Sequence, residues 1–464
     1  MPTASTLSRR SFLQTASVAA GALSFPAVLR SQPAGTPSPM NRLNVAVIGV
    51  GGRGGAAVEG VRNENIVALC DVDSERADAS LKRFSERHAE AAARAAGAER
   101  FDDFRRMFDK LGNQIDAVTI STPDHMHYPA ALAALRLGKH VFVEKPLTHT
   151  IWESRELTRL AREKKVVTQM GNQGHAGDGC RLLKEWVDAG VLGEVREVVS
   201  WTDRPFYPPW RAPVGSFAKP DHSKFLPVVP STLNWDAWLG VASERNYDPA
   251  YLPFKWRGWW DFGTGAFGDV ACHIMDGAYW ALGLGAPTAV EAISTGASDV
   301  ASPLASVVTN YFPARGKMPA VKYTWSDGGL LPVLPPDLEM GRDLNPEAGT
   351  ILFGSKATVL CSFYYDSVRI IPEIKMRELA PSLPPKTIPR VKDGPFAEWL
   401  LGCKGGPLPG SNFEYSGPFT ESVLLANVAI RSRRRIEWDA ASLRVTNLPD
   451  ANRFVTKEYR PGWL

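Results

Sequence analysis

Lys145 follows the apolar run Val141–Val143, and Asp269 and His273 stand at i and i+4 of a helical stretch, GDVACHIMD. Residues four apart on a helix project from one face, one turn from each other. A carboxylate beside an imidazole orients the ring and stabilises its protonated form, as a general acid–base pair needs. A charged lysine directly after a buried strand, where ligands of open parallel sheets bind, is no casual surface residue. The pair could also be a helix-start aspartate with a hydrogen-bonded histidine, or two metal ligands. No third ligand falls at a fitting spacing, so no metal is expected.

The stretch Asn44–Asp73 supplies a scaffold for such chemistry. It reads as a strand (Val45–Ile48), a glycine-rich turn, a short helix, a second strand (Ile66–Leu69) and Asp71. Gly49 permits the tight turn, Gly51 leaves the pyrophosphate unobstructed, and Gly54 lets the helix pack close to the strand. The helix N-terminus then points its free N–H groups at phosphates, with Gly52 and Arg53 completing the loop. Asp71 lies about twenty residues beyond Gly49, where a carboxylate meets a ribose 2′-OH and would repel a 2′-phosphate. NAD is therefore expected rather than NADP, with Arg53 and Arg76 as the residues that could reach a phosphate.

Two polar clusters fall at the carboxyl ends of further buried strands, where ligands bind in open parallel sheets. Ser121, Thr122, Pro123, His125 and His127 follow the strand Ala117–Ile120; Glu144 and Lys145 follow His140–Val143. All are candidate cofactor contacts, although His125 and His127 read equally well as loop histidines bonded to backbone.

Apolar runs and helical patterns alternate from Asn41 to about Val167, as in βαβ units, with Ser74–Ala96 read as one solvated helix. Beyond Met170 the pattern becomes mixed. Seven of the fourteen tryptophans lie between Trp201 and Trp260 (201, 210, 235, 238, 256, 259, 260), in a segment rich in Pro and Gly. Flat aromatic faces beside hydrogen-bonding groups suit a carbohydrate. Asn172 and His175 in a polar turn, with Trp259 and Trp260, are candidate substrate contacts. Further on, Thr350–Phe353 and Thr358–Cys361 suggest a hairpin, and Phe419–Arg431 a packed helix. The expected organisation is residues 1–34 as leader and linker, 41–167 as a Rossmann domain, and 168–464 as an α/β domain. The latter would carry an open, largely antiparallel sheet whose uncovered face suggests a homo-oligomer.

A net charge of +4, dispersed along 464 residues, argues against nucleic acid as a partner, and five scattered cysteines read as buried thiols. Near the start, Ser8-Arg9-Arg10-Ser11-Phe12-Leu13 precedes a short apolar run, Ala16–Phe25. This is the pattern of a twin-arginine export signal. The run is too short for a bilayer core of about 30 Å, so no integral membrane anchor is expected. Twin-arginine export carries folded proteins, so the expectation is an exported, periplasmic protein that takes its cofactor along.

The motifs AVIGVGGRG, STPDHMH, EKP and GDVACHIMD, in this order, resemble those of the Gfo/Idh/MocA (glucose–fructose oxidoreductase/inositol dehydrogenase) family. The resemblance implies a Rossmann domain, an α/β domain, a catalytic role for Lys145, Asp269 and His273, and a cis Lys145–Pro146 bond. It also implies oxidation of a sugar or sugar derivative, with His273 taking the proton and Asp269 holding its ring. Some relatives are instead NAD-dependent glycosidases that oxidise transiently and eliminate an aglycone. A sugar-binding protein with a structural cofactor would not need all three residues.

Overall fold

The computed structural model describes residues 42–205, 227–296 and 298–464. The export signal (1–34) and Trp210 lie outside the described residues.

Six strands form a parallel sheet: β1 (Asn44–Ile48), β2 (Asn65–Cys70), β3 (Glu99–Phe101), β4 (Ala117–Ile120), β5 (His140–Val143) and β6 (Thr168–Met170). Their order is β3-β2-β1-β4-β5-β6. β4 is buried throughout, as expected of a strand covered on both faces. The order reverses between β1 and β4, which opens a crevice above their carboxyl ends. The glycine loop, the Ser121 cluster and Glu144-Lys145 all leave from that edge.

Three expectations change here. β6 pairs with β5, so the Rossmann sheet runs past residue 167 and the expected boundary cuts its last strand. Ser74–Ala96 is two helices, Ser74–Arg87 and Ala89–Ala95, because His88 leaves helical geometry (φ −137°, ψ 58°) and lays its ring 5.6 Å from that of Phe84. One wall of the first domain also comes from far along the chain. Helix Gly394–Cys403 stacks Phe396 on Phe142 at 4.1 Å and buries Trp399 beside it.

The second sheet has nine strands: β7 (Val195–Thr202), β8 (Ala289–Ser294), β9 (Ser306–Phe312), β10 (Val321–Ser326), β11 (Ala348–Gly354), β12 (Thr358–Cys361), β13 (Val368–Ile371), β14 (Ile436–Asp439) and β15 (Arg444–Val445). They run in the order β13-β12-β11-β7-β10-β9-β8-β14-β15. β7 and β10 pair in parallel and the other neighbours antiparallel. Alternate residues of β9 are buried, the two-residue period of a sheet with one covered face. Helices Gly265–Ile274 and Phe413–Ser432 share its core. The latter begins earlier than Phe419 because Asn412 caps it, its side chain accepting from Glu414 N–H at 3.0 Å; Pro418 is carried inside.

Candidate active site

The glycine loop is shaped by contacts that only glycine permits. Gly49 has φ +77°, and a Cβ there would meet the Ser121 carbonyl oxygen at 2.6 Å. A Cβ on Gly54 would lie 1.8 Å from the Gly49 oxygen, so the helix can approach the strand only without one. Asp71 closes the loop onto β2: its Oδ2 accepts from Val50 and Gly51 N–H, each at 2.7 Å, and its Oδ1 accepts from Asp73 N–H at 3.0 Å. Burial raises the Asp71 carboxyl, opposed by those N–H groups. Arg53 at the loop tip donates to Glu144 Oε1 at 2.8 Å, tying the loop to the end of β5.

A cleft of ≈ 400 Å³ runs from Asp71 and Arg76, past Gly51 and Thr122, to Lys145, Asp269 and His273. The Lys145–Pro146 peptide is cis. Lys145 Nζ donates to Asp269 Oδ1 at 2.5 Å and to the Asp269 main-chain oxygen at 2.6 Å. Arg257 Nε donates to the same Oδ1 at 3.3 Å, its guanidinium lying 4.3 Å from the Phe254 ring centre and 4.2 Å from that of Trp256. The spacing of Asp269 and His273 suggests an acid–imidazole pair. In the structure the carboxylate serves two cations, since Asp269 sits inside the helix Gly265–Ile274 and faces the end of β5.

Electrostatics follow from burial. Burial alone would raise the Asp269 carboxyl, but Lys145 and Arg257 hold it well below its ordinary range. Burial, reinforced by the Lys145 ammonium, pushes the His273 imidazole well below its ordinary value, so the ring is neutral. Its Nδ1 has no hydrogen-bond partner among the described residues. Asp124 also lines the cleft; burial lifts its carboxyl to about 7, although the Thr264 hydroxyl donates to it at 2.7 Å.

The cleft thus gathers Gly49, Gly51, Gly52, Arg53, Asp71, Ser121, Thr122, Pro123, Glu144, Lys145, Asp269 and His273. Gly54 supports it from behind. His125 and His127 are buried away from it. His125 Nε2 lies 3.1 Å from the Trp238 carbonyl oxygen; His127 Nδ1 and Nε2 lie 2.7 and 3.0 Å from those of Pro146 and Thr122. Asn172 and His175 are likewise not on its wall: Asn172 Oδ1 accepts from Ser411, and His175 Nδ1 lies 3.1 Å from Asp276. Trp259 and Trp260 are core residues whose indole N–H groups donate to Ala250 and Ser298 carbonyls. Trp259 packs with Trp238, Tyr251 and Phe262 in a small core that an irregular segment needs for its own cohesion. Of the described tryptophans between 201 and 260, Trp238 and Trp256 reach the cleft.

Arg257 and Asp124 are the residues that sequence reasoning missed. Asp124 lies within the STPDHMH motif, and Arg257 within a tryptophan-rich run that reads as a stacking surface.

The loop fits a dinucleotide: Gly51 and Gly52 line the cleft, where Gly51 adds no side chain and Gly52 has φ +58°. Among the described residues, no group of three or more His, Cys, Asp or Glu is placed to hold a metal ion. No described helix is long and apolar enough to cross a membrane.

A nucleotide-binding crevice at the switch point of a doubly wound sheet, roofed by a second sheet domain, is the architecture of two-domain dinucleotide oxidoreductases. Residues 43–172 match the oxidoreductase family model for the NAD-binding Rossmann fold, and residues 183–329 match that for the family's C-terminal α/β domain. The chain belongs to the Gfo/Idh/MocA oxidoreductase family.

A glycosyl hydrolase family 109 protein of Shewanella pealeana is 32% identical over 207 residues, 41% of this chain and 44% of that protein. A levoglucosan dehydrogenase of Pseudarthrobacter phenanthrenivorans is 26% identical over 195 residues, 42% and 40% respectively. The matches span less than half the length of these relatives. In fold, the chain is similar to the WlbA dehydrogenase from Bordetella pertussis, solved with NADH and UDP-GlcNAcA. The TM-score is 0.56 and the identity 17%, over 86% of this chain and 99% of that one.

Proposed function

We propose that this protein is an NAD-dependent oxidoreductase acting on a sugar or sugar derivative by hydride transfer. The observation that carries the reading is the placement of Lys145, Asp269 and His273 in the cleft that begins at the glycine loop. The nicotinamide, when bound, supplies the hydride acceptor. His273, neutral through burial, takes the proton of the reacting hydroxyl on its imidazole nitrogen. The Lys145 ammonium stabilises the oxygen as negative charge builds on it. Asp269 fixes that ammonium through two oxygens, and Arg257 shares the carboxylate, so the group keeps a net positive charge.

NAD is favoured over NADP by carboxylates. Asp71, Asp73, Asp102 and Asp103 line one end of the cleft with Arg76, while Arg53 is engaged by Glu144. Mass spectrometry of natively purified protein tests this; released NADP would overturn it.

A second reading, an NAD-dependent glycosidase, has support in the relatives named glycosyl hydrolase family 109 proteins. Incubation with free sugars and aryl glycosides in D₂O separates the two. Keto-sugar formation coupled to an acceptor supports the dehydrogenase. Aglycone release, with deuterium beside the transiently oxidised carbon and no net oxidised product, sinks it.

The reading includes twin-arginine export to the periplasm with the cofactor aboard, and self-association through the second sheet. Arg9→Lys with Arg10→Lys is expected to retain the protein in the cytoplasm. Light scattering that returns a monomer would remove the oligomer.

A further inference from the structure

A second polar cavity, of ≈ 170 Å³, is walled in part by Gly263 and Thr264, just before the helix that carries Asp269 and His273, and nothing in the proposed reaction uses it. Its wall includes Arg431, Arg453, Lys457, His149, Asn427 and Thr264. Lys457 is spoken for: its Nζ lies 3.1 Å from Glu153 Oε1 and 2.9 Å from His149 Nδ1. The two arginines are not. Arg431 lies over the Phe454 ring at 4.1 Å and near Trp260 at 5.3 Å, and Arg453 lies 4.7 Å from the same Phe454 ring. Among the described residues both make ring contacts and no ion pair, and Arg431 Nε is buried with no hydrogen-bond acceptor.

A guanidinium withdrawn from water without an acceptor is costly, because the lost hydration is not replaced. Burial accordingly lowers Arg431 to about 10, although Asp261 and Asp299 act to raise it. Asp261, which lines the cavity, is committed to Arg245 at 2.5 Å. Glu458 is an exposed carboxylate at the cavity.

Asn427 adds the complementary feature. It is 9% exposed, its Nδ2 donates to the Thr264 carbonyl at 2.8 Å, and its Oδ1 has no donor. The cavity therefore presents unpaired donors carrying positive charge together with one unpaired acceptor. A carboxylate satisfies only the first. A hydrogen phosphate satisfies both, since it carries anionic oxygens and one O–H.

We propose that this cavity is a phosphate-binding site, separate from the cofactor cleft, in which Arg431 and Arg453 hold the anionic oxygens and Asn427 Oδ1 accepts the phosphate hydroxyl. The occupant is inorganic phosphate or a small phosphate that keeps a hydroxyl. Thr264 touches both sites: it lines this cavity, and its hydroxyl donates to Asp124 in the cleft.

The test is calorimetric titration of the full-length, NAD-saturated protein with inorganic phosphate, so that the glycine loop is already filled. The expected result is one saturable site whose affinity falls at least tenfold in Arg431→Met and in Arg453→Gln, and is unchanged in Arg53→Gln. Sulfate, similar in shape and charge but lacking a hydroxyl, is expected to bind at least several-fold more weakly. Arg453 is exposed, so its variant decides the matter if Arg431→Met fails to fold. Absence of saturable binding, loss only in Arg53→Gln, or sulfate binding as tight as phosphate overturns the proposal.

Discussion

Lys145 and Asp269 are joined twice: the ammonium donates to the carboxylate at 2.5 Å and to the main-chain oxygen of the same residue at 2.6 Å. A helical residue within the chain normally spends that carbonyl on its own helix. Here part of its capacity is turned to a lysine from the other domain, so the position of the ammonium is tied to backbone as well as side chain. In the proposed reaction this inter-domain joint is the catalytic unit.

Lys145→Ala and His273→Ala are each expected to lower turnover by about 10²–10⁴ while the cofactor stays bound. Single-turnover kinetics with mass spectrometry of the retained cofactor measures both. Because His273 is held neutral, the acid limb it governs lies below the ordinary histidine range. Near-normal turnover in either variant returns that residue to a structural role.

Arg257→Gln removes one of the cations that share the Asp269 carboxylate, which leaves more of its charge to neutralise the Lys145 ammonium. We expect kcat to fall by on the order of 10², with cofactor retention and melting temperature little changed. Arg257→Lys is expected to recover part of the loss. A fall in melting temperature that accounts for the lost activity would show that Arg257 only braces its loop.

Asp124 makes a pH-dependent contribution to stability. Its carboxyl is raised to about 7 by burial, so the folded state holds a proton that the unfolded chain releases near 3.8. The contribution is complete below that lower value and is lost as pH climbs through the upper one. Relative to Asp124→Asn, the wild type should lose on the order of a few kcal/mol between about pH 4 and about pH 8. Denaturant melts of both proteins at the two pH values give the difference; a gap independent of pH contradicts it.

Gly54→Ala places a methyl group 1.8 Å from the Gly49 oxygen, a backbone atom that cannot step aside. The expected outcome is loss of bound cofactor and a destabilisation of about 3 kcal/mol or more. A variant that purifies with its cofactor and melts normally would show that helix and strand can separate without harm.

The parallel sheet and glycine loop were legible because their signals are local: apolar runs of strand length, glycines at a turn, and an acid at the next strand end. The cleft residues near β1, β4 and β5 followed from strand ends alone. What escaped was set by distance along the chain. Lys145 and Asp269 are 124 residues apart, and spacing on one helix suggests the nearer partner, His273. The tryptophans misled for another reason. A segment with little regular hydrogen bonding coheres through its aromatic side chains, so Trp259 and Trp260 went inward rather than to a ligand. His175 and Asn172 went to neighbouring polar groups in the same way.

Phe396 and Trp399 cover the parallel sheet at Phe142, yet they arrive very late in the sequence. During synthesis the nucleotide-binding half therefore waits, with Phe142 uncovered, until most of the polypeptide has left the ribosome. Closure of that wall becomes one of the last packing events of maturation. A chain cut short before Gly394 would present its translating cell with an apolar surface instead of a half-finished enzyme.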